Sequence, residues 1–280
     1  MPAPRVLVTR PAAAAAAWVA QLARHGIAAE ALPLIEILPE PLTGSLAQAR
    51  RQLSRYAAVM FVSGNAVTSL LGSDHIYFDK SGSDHDYFEQ NSAAVPTDQA
   101  QAAIETRAWS PGPGTTQALL AAGWPRARID EPAADAAQFD SEALWAQVAP
   151  QVRAGLRVLI VRGGDAAGRL AGRDWLAQRL QQAGAQVDQL LAYRRAAPVL
   201  AAAARSRALA AAADGTLWLF SSSEAVANLR QCLPAADWRG ARALATHPRI
   251  AQAAREAGFG AVADTRPALA DVVASIESLA

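Results

Sequence analysis

RVLIVRGGDAAGRLAGRDWLAQRLQQAGAQVDQLLAYRR, running from Arg157 to Arg195, decides the fold. Its opening RVLIVRGG is a near-continuous apolar run closed by two glycines, the pattern of a buried strand feeding a tight turn. WLAQRLQQAG then places Trp175, Leu176 and Leu180 at helical spacing and stops at Gly184. QVDQLLAYRR alternates roughly every second residue and ends on Tyr193, Arg194 and Arg195. The stretch reads as strand–helix–strand. The chain opens on the same plan, with RVLVTRP from Arg5, WVAQLARHG from Trp18 and AAEALPLIEI from Ala28.

Two further correspondences keep the same order. YAAVMFVSGNAVTSLL (Tyr56 to Leu71) is answered by GTLWLFSSSEAVANLR (Gly215 to Arg230), each a buried strand, a polar turn and a helix. TRAWSPGPGTTQALLAAGWPRARIDEP, from Thr106, is answered by ARALATHPRIAQAAREAGFGAVADTRP, from Ala241, with helices ended by Gly123 and Gly258. Repetition in one order points to internal duplication. Strand–helix repeats at this spacing give an α/β fold of doubly wound parallel sheets. Periodicity alone would divide the chain near Pro150. Pro33, Pro39 and Pro41 bracket LPLIEILPEP, which reads as an extended connector.

A length of 280 residues favours two domains, each able to bury its own core. With 26 basic and 25 acidic residues the net charge is +1, which gives no electrostatic footprint for nucleic acid. The single cysteine, Cys232, is compatible with a reducing compartment and reads as a small buried residue near a helix end. No run reaches the roughly 20 apolar residues of a membrane span, and RVLVTRP is a strand of the fold rather than part of a signal peptide. The expectation is a soluble, cytoplasmic monomer.

One segment departs from the pattern. GSDHIYFDKS, from Gly72, is followed at once by GSDHDYFEQN, a tandem repeat that holds the only lysine, Lys80. No alanine occurs between Gly72 and Ser92, and the second half has no counterpart of similar length. Residues 72–98 therefore read as an insertion into a surface loop that projects away from any cleft. Asp74, His75, Asp84 and His85 raise metal binding, but adjacent Asp-His pairs match no specific ligand spacing. A hydrated loop is the preferred reading, with no metal.

Ligands of doubly wound sheets lie outside the carboxyl ends of the strands. Six turns are readable there: Thr9-Arg10-Pro11, Ser63-Gly64-Asn65, Gly112-Pro113-Gly114-Thr115, Arg162-Gly163-Gly164, Ser221-Ser222-Ser223 and Thr246-His247-Pro248. Helix starts with free N–H groups and small hydroxyl residues make anion seats, although Ser63 and Ser223 equally suit plain helix caps. Arg10, Arg162, Arg194, Arg195 and Arg249 add donors for carboxylates or phosphates. With lysine confined to the insertion, a Walker A loop and a lysine Schiff base are disfavoured, and no GxGxxG follows the first strand. The pattern suits a cofactor-free protein with two lobes for a polyanionic ligand.

VLVTRP, PLIEI, VMFVSGNAV, GPGT, LIVRGG, AYRR, LFSSSEAV and THPRIAQAA together resemble uroporphyrinogen-III synthase, in order, from about Arg5 to Thr265. The resemblance implies two flavodoxin-like domains joined by a two-stranded hinge. One would hold residues 1–36 and 196–280, the other 37–195, with LPLIEILPEP and LLAYRRAAP as the connectors. It also implies a reaction without cofactor or metal. Hydroxymethylbilane, a linear tetrapyrrole bearing eight carboxylates, loses water and cyclises with inversion of its last ring, as part of haem biosynthesis.

On that basis Tyr193, matching the tyrosine of the family's connector strand, is the candidate acid that helps the hydroxyl leave. A half-buried strand tyrosine bonded to backbone is its plain alternative. Arg10, Ser63, Asn65, Gly112, Gly114, Thr115, Arg162, Gly163, Ser221, Ser222, Ser223, Thr246, His247 and Arg249 are the candidate substrate-binding residues. His247 has a structural default. A two-lobed anion-binding sensor without catalysis is the competing function, since a fold alone does not fix activity.

Overall fold

A computed structural model describes residues 4–72, 105–136, 138–170 and 174–279 of the chain. The repeat with Asp74, His75, Lys80, Asp84 and His85, and all of the 72–98 insertion after Gly72, lie outside the described residues. The chain begins with strand β1 (Val6–Val8), helix α1 (Ala12–Arg24), β2 (Ala29–Ala31) and β3 (Glu36–Pro39). Next come α2 (Gly44–Arg51), β4 (Ala58–Phe61), α3 (Gly64–Leu71), β5 (Arg107–Trp109), α4 (Pro113–Ala121), β6 (Ile129–Asp130) and α5 (Ser141–Val148). The stretch quoted first supplies β7 (Arg157–Gly164), α6 (Trp175–Gln182) and β8 (Gln186–Ala196). The remainder is α7 (Ala202–Ala211), β9 (Leu217–Phe220), α8 (Ser223–Cys232), β10 (Arg242–Ala245), α9 (Pro248–Glu256), β11 (Ala261–Asp264) and α10 (Leu269–Ser278).

Two units emerge. One joins Met1–Ile37 to Arg195–Ala280, and the other is Leu38–Arg194. The division expected near Pro150 does not occur; that residue lies in a short 3-10 turn, Ala149–Gln151, within the second unit. The reason is strand pairing. Strand β1 runs parallel to β9, and the Thr9 hydroxyl donates to the Leu219 carbonyl, 210 residues away, at 2.8 Å.

In the first unit the sheet order is β2-β1-β9-β10-β11, with every neighbouring pair parallel. Numbered within the unit this is 2-1-3-4-5, the flavodoxin-like order. The second sheet runs β8-β7-β4-β5-β6, parallel throughout these five, with β3 outside β8. The spatial order is the same as in the first unit, and the β7–β8 pair, equivalent to β1–β2, comes last in sequence rather than first.

Apolar residues on successive strand positions sort to opposite faces, as the two-residue period demands. In the first unit Val6, Val8, Leu217 and Leu219 pack on one side with Leu22 of α1 and Val272 and Ile276 of α10. Leu7, Trp218 and Phe220 pack on the other with Leu229 of α8 and Ile250 of α9. In the second unit Met60, Trp109, Val158 and Ile160 pack against Leu144 of α5 and Leu176 and Leu180 of α6. Covered on both faces, these strands are apolar throughout rather than alternating with polar residues. Cys232, at the end of α8, is half-buried and donates to the Pro198 carbonyl at 3.2 Å. Burial raises its thiol pKa above the ordinary value.

Candidate active site

Adjacent parallel strands end on one edge, so each sheet collects its own corners. In the first unit these follow β1, β9 and β10. Ser222 takes the cap of α8, accepting from the Glu224 N–H at 3.2 Å, and the expected alternative Ser223 is instead the first helical residue. His247 caps α9 through Nδ1, which accepts from the Arg249 N–H at 3.0 Å. With Nδ1 accepting, the neutral ring holds its hydrogen on Nε2. Thr246 is buried beside it, and Arg249 is exposed in the first turn.

Three polar atoms in this row are buried without a hydrogen-bond partner among the described residues: Ser221 Oγ, Ser223 Oγ and Arg10 Nε. The Arg10 guanidinium stands 4.3 Å from the centre of the Trp18 ring, and burial pulls its pKa down to about 10.

The second unit is organised differently. The expected turn at Arg162-Gly163-Gly164 is absent, because β7 continues as strand through Gly164. Its neighbour explains this: β8 pairs with it the whole way, Gly163 facing Tyr193 and Gly164 facing Arg194, after a register shift between Arg162 and Gly163. Tyr193 is 3% exposed. Its ring lies against Gly163, where a Cβ would meet ring carbons Cε2 and Cζ at 2.5 Å. Strand β7 lies between β8 and β4, so the phenol crosses β7 at its glycine and reaches the corner beyond β4. There its hydroxyl is 3.0 Å from Ser63 Oγ. Ser63 is also the N-cap of α3, accepting from the Ala66 N–H at 3.3 Å.

The corner after β5 is built of hydroxyls. The Ser110 hydroxyl donates to the Gly112 carbonyl at 2.8 Å and lies 2.9 Å from the Thr116 hydroxyl. Thr116 also bonds Glu131, which pairs with Arg126. Thr115 and Gly112 are buried, Gly114 is exposed, and Asn65 is half-buried in the first turn of α3. The two helix starts approach closely: a Cβ on Gly64 would sit 3.5 Å from the Gly114 carbonyl oxygen.

Arg162, expected as an anion donor, is 4% exposed and engaged by Asp174 and Gln189. Two more candidate arginines are paired with carboxylates inside their own units, Arg194 with Glu40 at 2.6 Å and Arg195 with Glu224 at 3.2 Å. Sequence reasoning overlooked Glu40, Asp174, Gln189 and Trp18 as partners of these arginines. Trp18 had a signal, since position 18 shares a helical stripe with the buried Ala15 and Leu22. The others, Glu40 just past β3, Asp174 at the start of α6 and Gln189 on β8, are revealed only by packing.

The sequence model of the family described as uroporphyrinogen-III synthase HemD matches residues 16–274. The chain belongs to that family. Two solved structures of uroporphyrinogen-III synthases share its fold. A mutant enzyme from the extreme thermophile Thermus thermophilus superposes with a TM-score of 0.54 at 17% identity, over 99% of this chain and 97% of that one. The uroporphyrinogen-III synthetase of Helicobacter pylori superposes at 0.58 with 14% identity, over 99% and 100%. Among the described residues no helix is long and apolar enough to cross a membrane.

Proposed function

We propose that this member of the uroporphyrinogen-III synthase family is a cyclising hydro-lyase. It removes water from hydroxymethylbilane and closes the chain to uroporphyrinogen III with the last ring inverted, acting as a cytoplasmic monomer. The observation that carries the reading is the family match over residues 16–274.

The substrate is a flexible string of pyrroles rich in carboxylates. Buried donors without partners among the described residues, such as Arg10 Nε, Ser221 Oγ and Ser223 Oγ, suit carboxylates that arrive with the substrate. Helix starts at Ser222, His247, Ser63 and Gly112 offer backbone N–H groups for the same purpose. Thr115, Thr246, Asn65, Gly114 and Arg249 stand in those same corners. Arg162 has the weakest case, being committed to Asp174 and Gln189.

Tyr193 is the proton donor in this reading. Its proton passes to the departing hydroxyl, the C–O bond breaks, and the pyrrole nitrogen lone pair fills the vacated carbon as water leaves. The phenolate takes back the proton that the pyrrole carbon sheds after ring closure. A phenol suffices because the electron-rich pyrrole expels the hydroxyl readily, leaving the protein mainly to hold the chain coiled.

The test supplies purified protein with freshly generated hydroxymethylbilane and separates the product isomers. Uroporphyrinogen III is expected; isomer I alone, at the uncatalysed rate, would overturn the activity and leave an anion-binding protein.

A further inference from the structure

We infer that Ser63 is a positioning residue for Tyr193, donating a hydrogen bond that leaves the phenol's own proton directed at the substrate. The inference rests on the reading of Tyr193 as the proton donor.

Its basis is the number of bonds the Ser63 hydroxyl makes. Oγ accepts from the Ala66 N–H at 3.3 Å and lies 3.0 Å from the Tyr193 hydroxyl. A serine hydroxyl has one proton and two lone pairs. One lone pair is occupied by Ala66, at the positive end of α3, where the helix field and the accepted N–H both polarise Oγ–H. The 3.0 Å pair can take its proton from either hydroxyl, and when the phenol proton is turned towards the substrate, Ser63 is the donor between the two. In that arrangement the phenol oxygen accepts the Ser63 proton, and the phenol proton has no other partner among the described residues. Once that proton has moved to the leaving hydroxyl, the same bond becomes charge-assisted and stronger. The developing negative charge is thereby tied through Ser63 to the start of α3.

The crossing at Gly163 fixes the geometry. Tyr193 starts on β8 and meets Ser63 at the end of β4 only because nothing projects from β7 at position 163. The ring is held from below by a glycine and at its tip by a helix cap, so its hydroxyl has little freedom.

Three substitutions separate the duties of Ser63. Ser63→Ala removes both cap and donor. Ser63→Asp keeps an acceptor for the Ala66 N–H but has no proton to give. Ser63→Thr keeps both. With hydroxymethylbilane as substrate, Ser63→Ala and Ser63→Asp should each lower kcat about 10-fold, Ser63→Ala with KM within about 2-fold, and Ser63→Thr should restore kcat. In a Tyr193→Phe background, Ser63→Ala should change kcat by less than about 2-fold, because the two residues act as one unit.

If the Ser63 and Tyr193 effects multiply, or if Ser63→Asp retains full kcat, the inference is overturned while the role of Tyr193 stands. A raised KM at unchanged kcat would also overturn it, making Ser63 a carboxylate contact. Normal turnover by Tyr193→Phe alone would remove the acid role and the inference together.

Discussion

Tyr193 fills the space that any side chain at position 163 would need. A Cβ placed on Gly163 would stand 2.5 Å from two carbons of the phenol ring and 2.9 Å from its oxygen. The two residues are register partners on adjacent parallel strands, so the approach is built into the pairing of β7 with β8. The glycine is there for clearance.

Gly163→Ala should therefore act on the tyrosine. The added methyl must push the ring out of reach of Ser63, or force the strands apart at the end of a fully buried strand, at a cost of about 1–3 kcal/mol for overpacking. Turnover should fall about as far as in Tyr193→Phe. Placing Gly163→Ala in a Tyr193→Ala background should restore the melting temperature towards that of Tyr193→Ala alone, because the clash has gone. If the two substitutions destabilise additively in thermal melts, the crowding argument is wrong.

Tyr193→Phe removes one hydroxyl and no ring. The lost bond to Ser63 should cost about 1 kcal/mol of stability. Loss of a general acid should lower kcat by about 100-fold or more, at little change in KM. Rates measured beside chemical denaturation decide the matter. A kcat within about 2-fold of the parent would make the tyrosine a packing residue.

The strands and corners were legible because buried parallel strands are apolar throughout and close on glycine or hydroxyl residues. β4, β9 and β10 could be read directly in this way. The error at Arg162-Gly163-Gly164 has the same root. Two glycines after an apolar run normally mean a turn, and only the partner strand, with Tyr193 lying against the first of them, reveals that the run continues. Ion-pair partners such as Asp174 for Arg162 and Glu40 for Arg194 were illegible for a related reason. A charged residue in a sequence shows its donors, and what already occupies them is set by packing. Sheet order was the hardest inference of all. The repeat around Arg157 could be seen, but that its strands end the second unit while their counterparts begin the first follows from pairing across 210 residues.

The three neighbouring serines should behave in opposite ways. Ser222→Ala removes a helix cap and should cost about 1 kcal/mol of stability. Ser221→Ala and Ser223→Ala each remove a buried hydroxyl that has no partner among the described residues, so the melting temperature should hold or rise. If those hydroxyls serve the substrate, KM should rise about 5-fold in each, matching about 1 kcal/mol of lost hydrogen bonding. Equal melting temperatures and equal KM values across the three variants would contradict this division.

Arg10 sharpens the same contrast. Its guanidinium is buried over Trp18, its Nε lacks a hydrogen-bond partner among the described residues, and its pKa is drawn down to about 10 by desolvation. The sign follows directly. A base whose pKa is lower in the folded than in the unfolded chain is held protonated at neutral pH against its surroundings, so it opposes folding there, and the opposition fades only as pH rises past about 10. The contact with Trp18 returns part of that, about 0.5–2 kcal/mol. Arg10→Met fills similar space without charge, and at pH 7 it should leave the melting temperature unchanged or raise it, by the equivalent of up to about 2 kcal/mol. The same variant should bind substrate less tightly, with KM raised about 10-fold, because a carboxylate loses a desolvated guanidinium partner. Thermal melts and steady-state kinetics on one preparation give both numbers. A lower melting temperature together with an unaltered KM would make Arg10 a structural cation stacked on Trp18, and the row of corners in the first unit would lose its strongest anion donor.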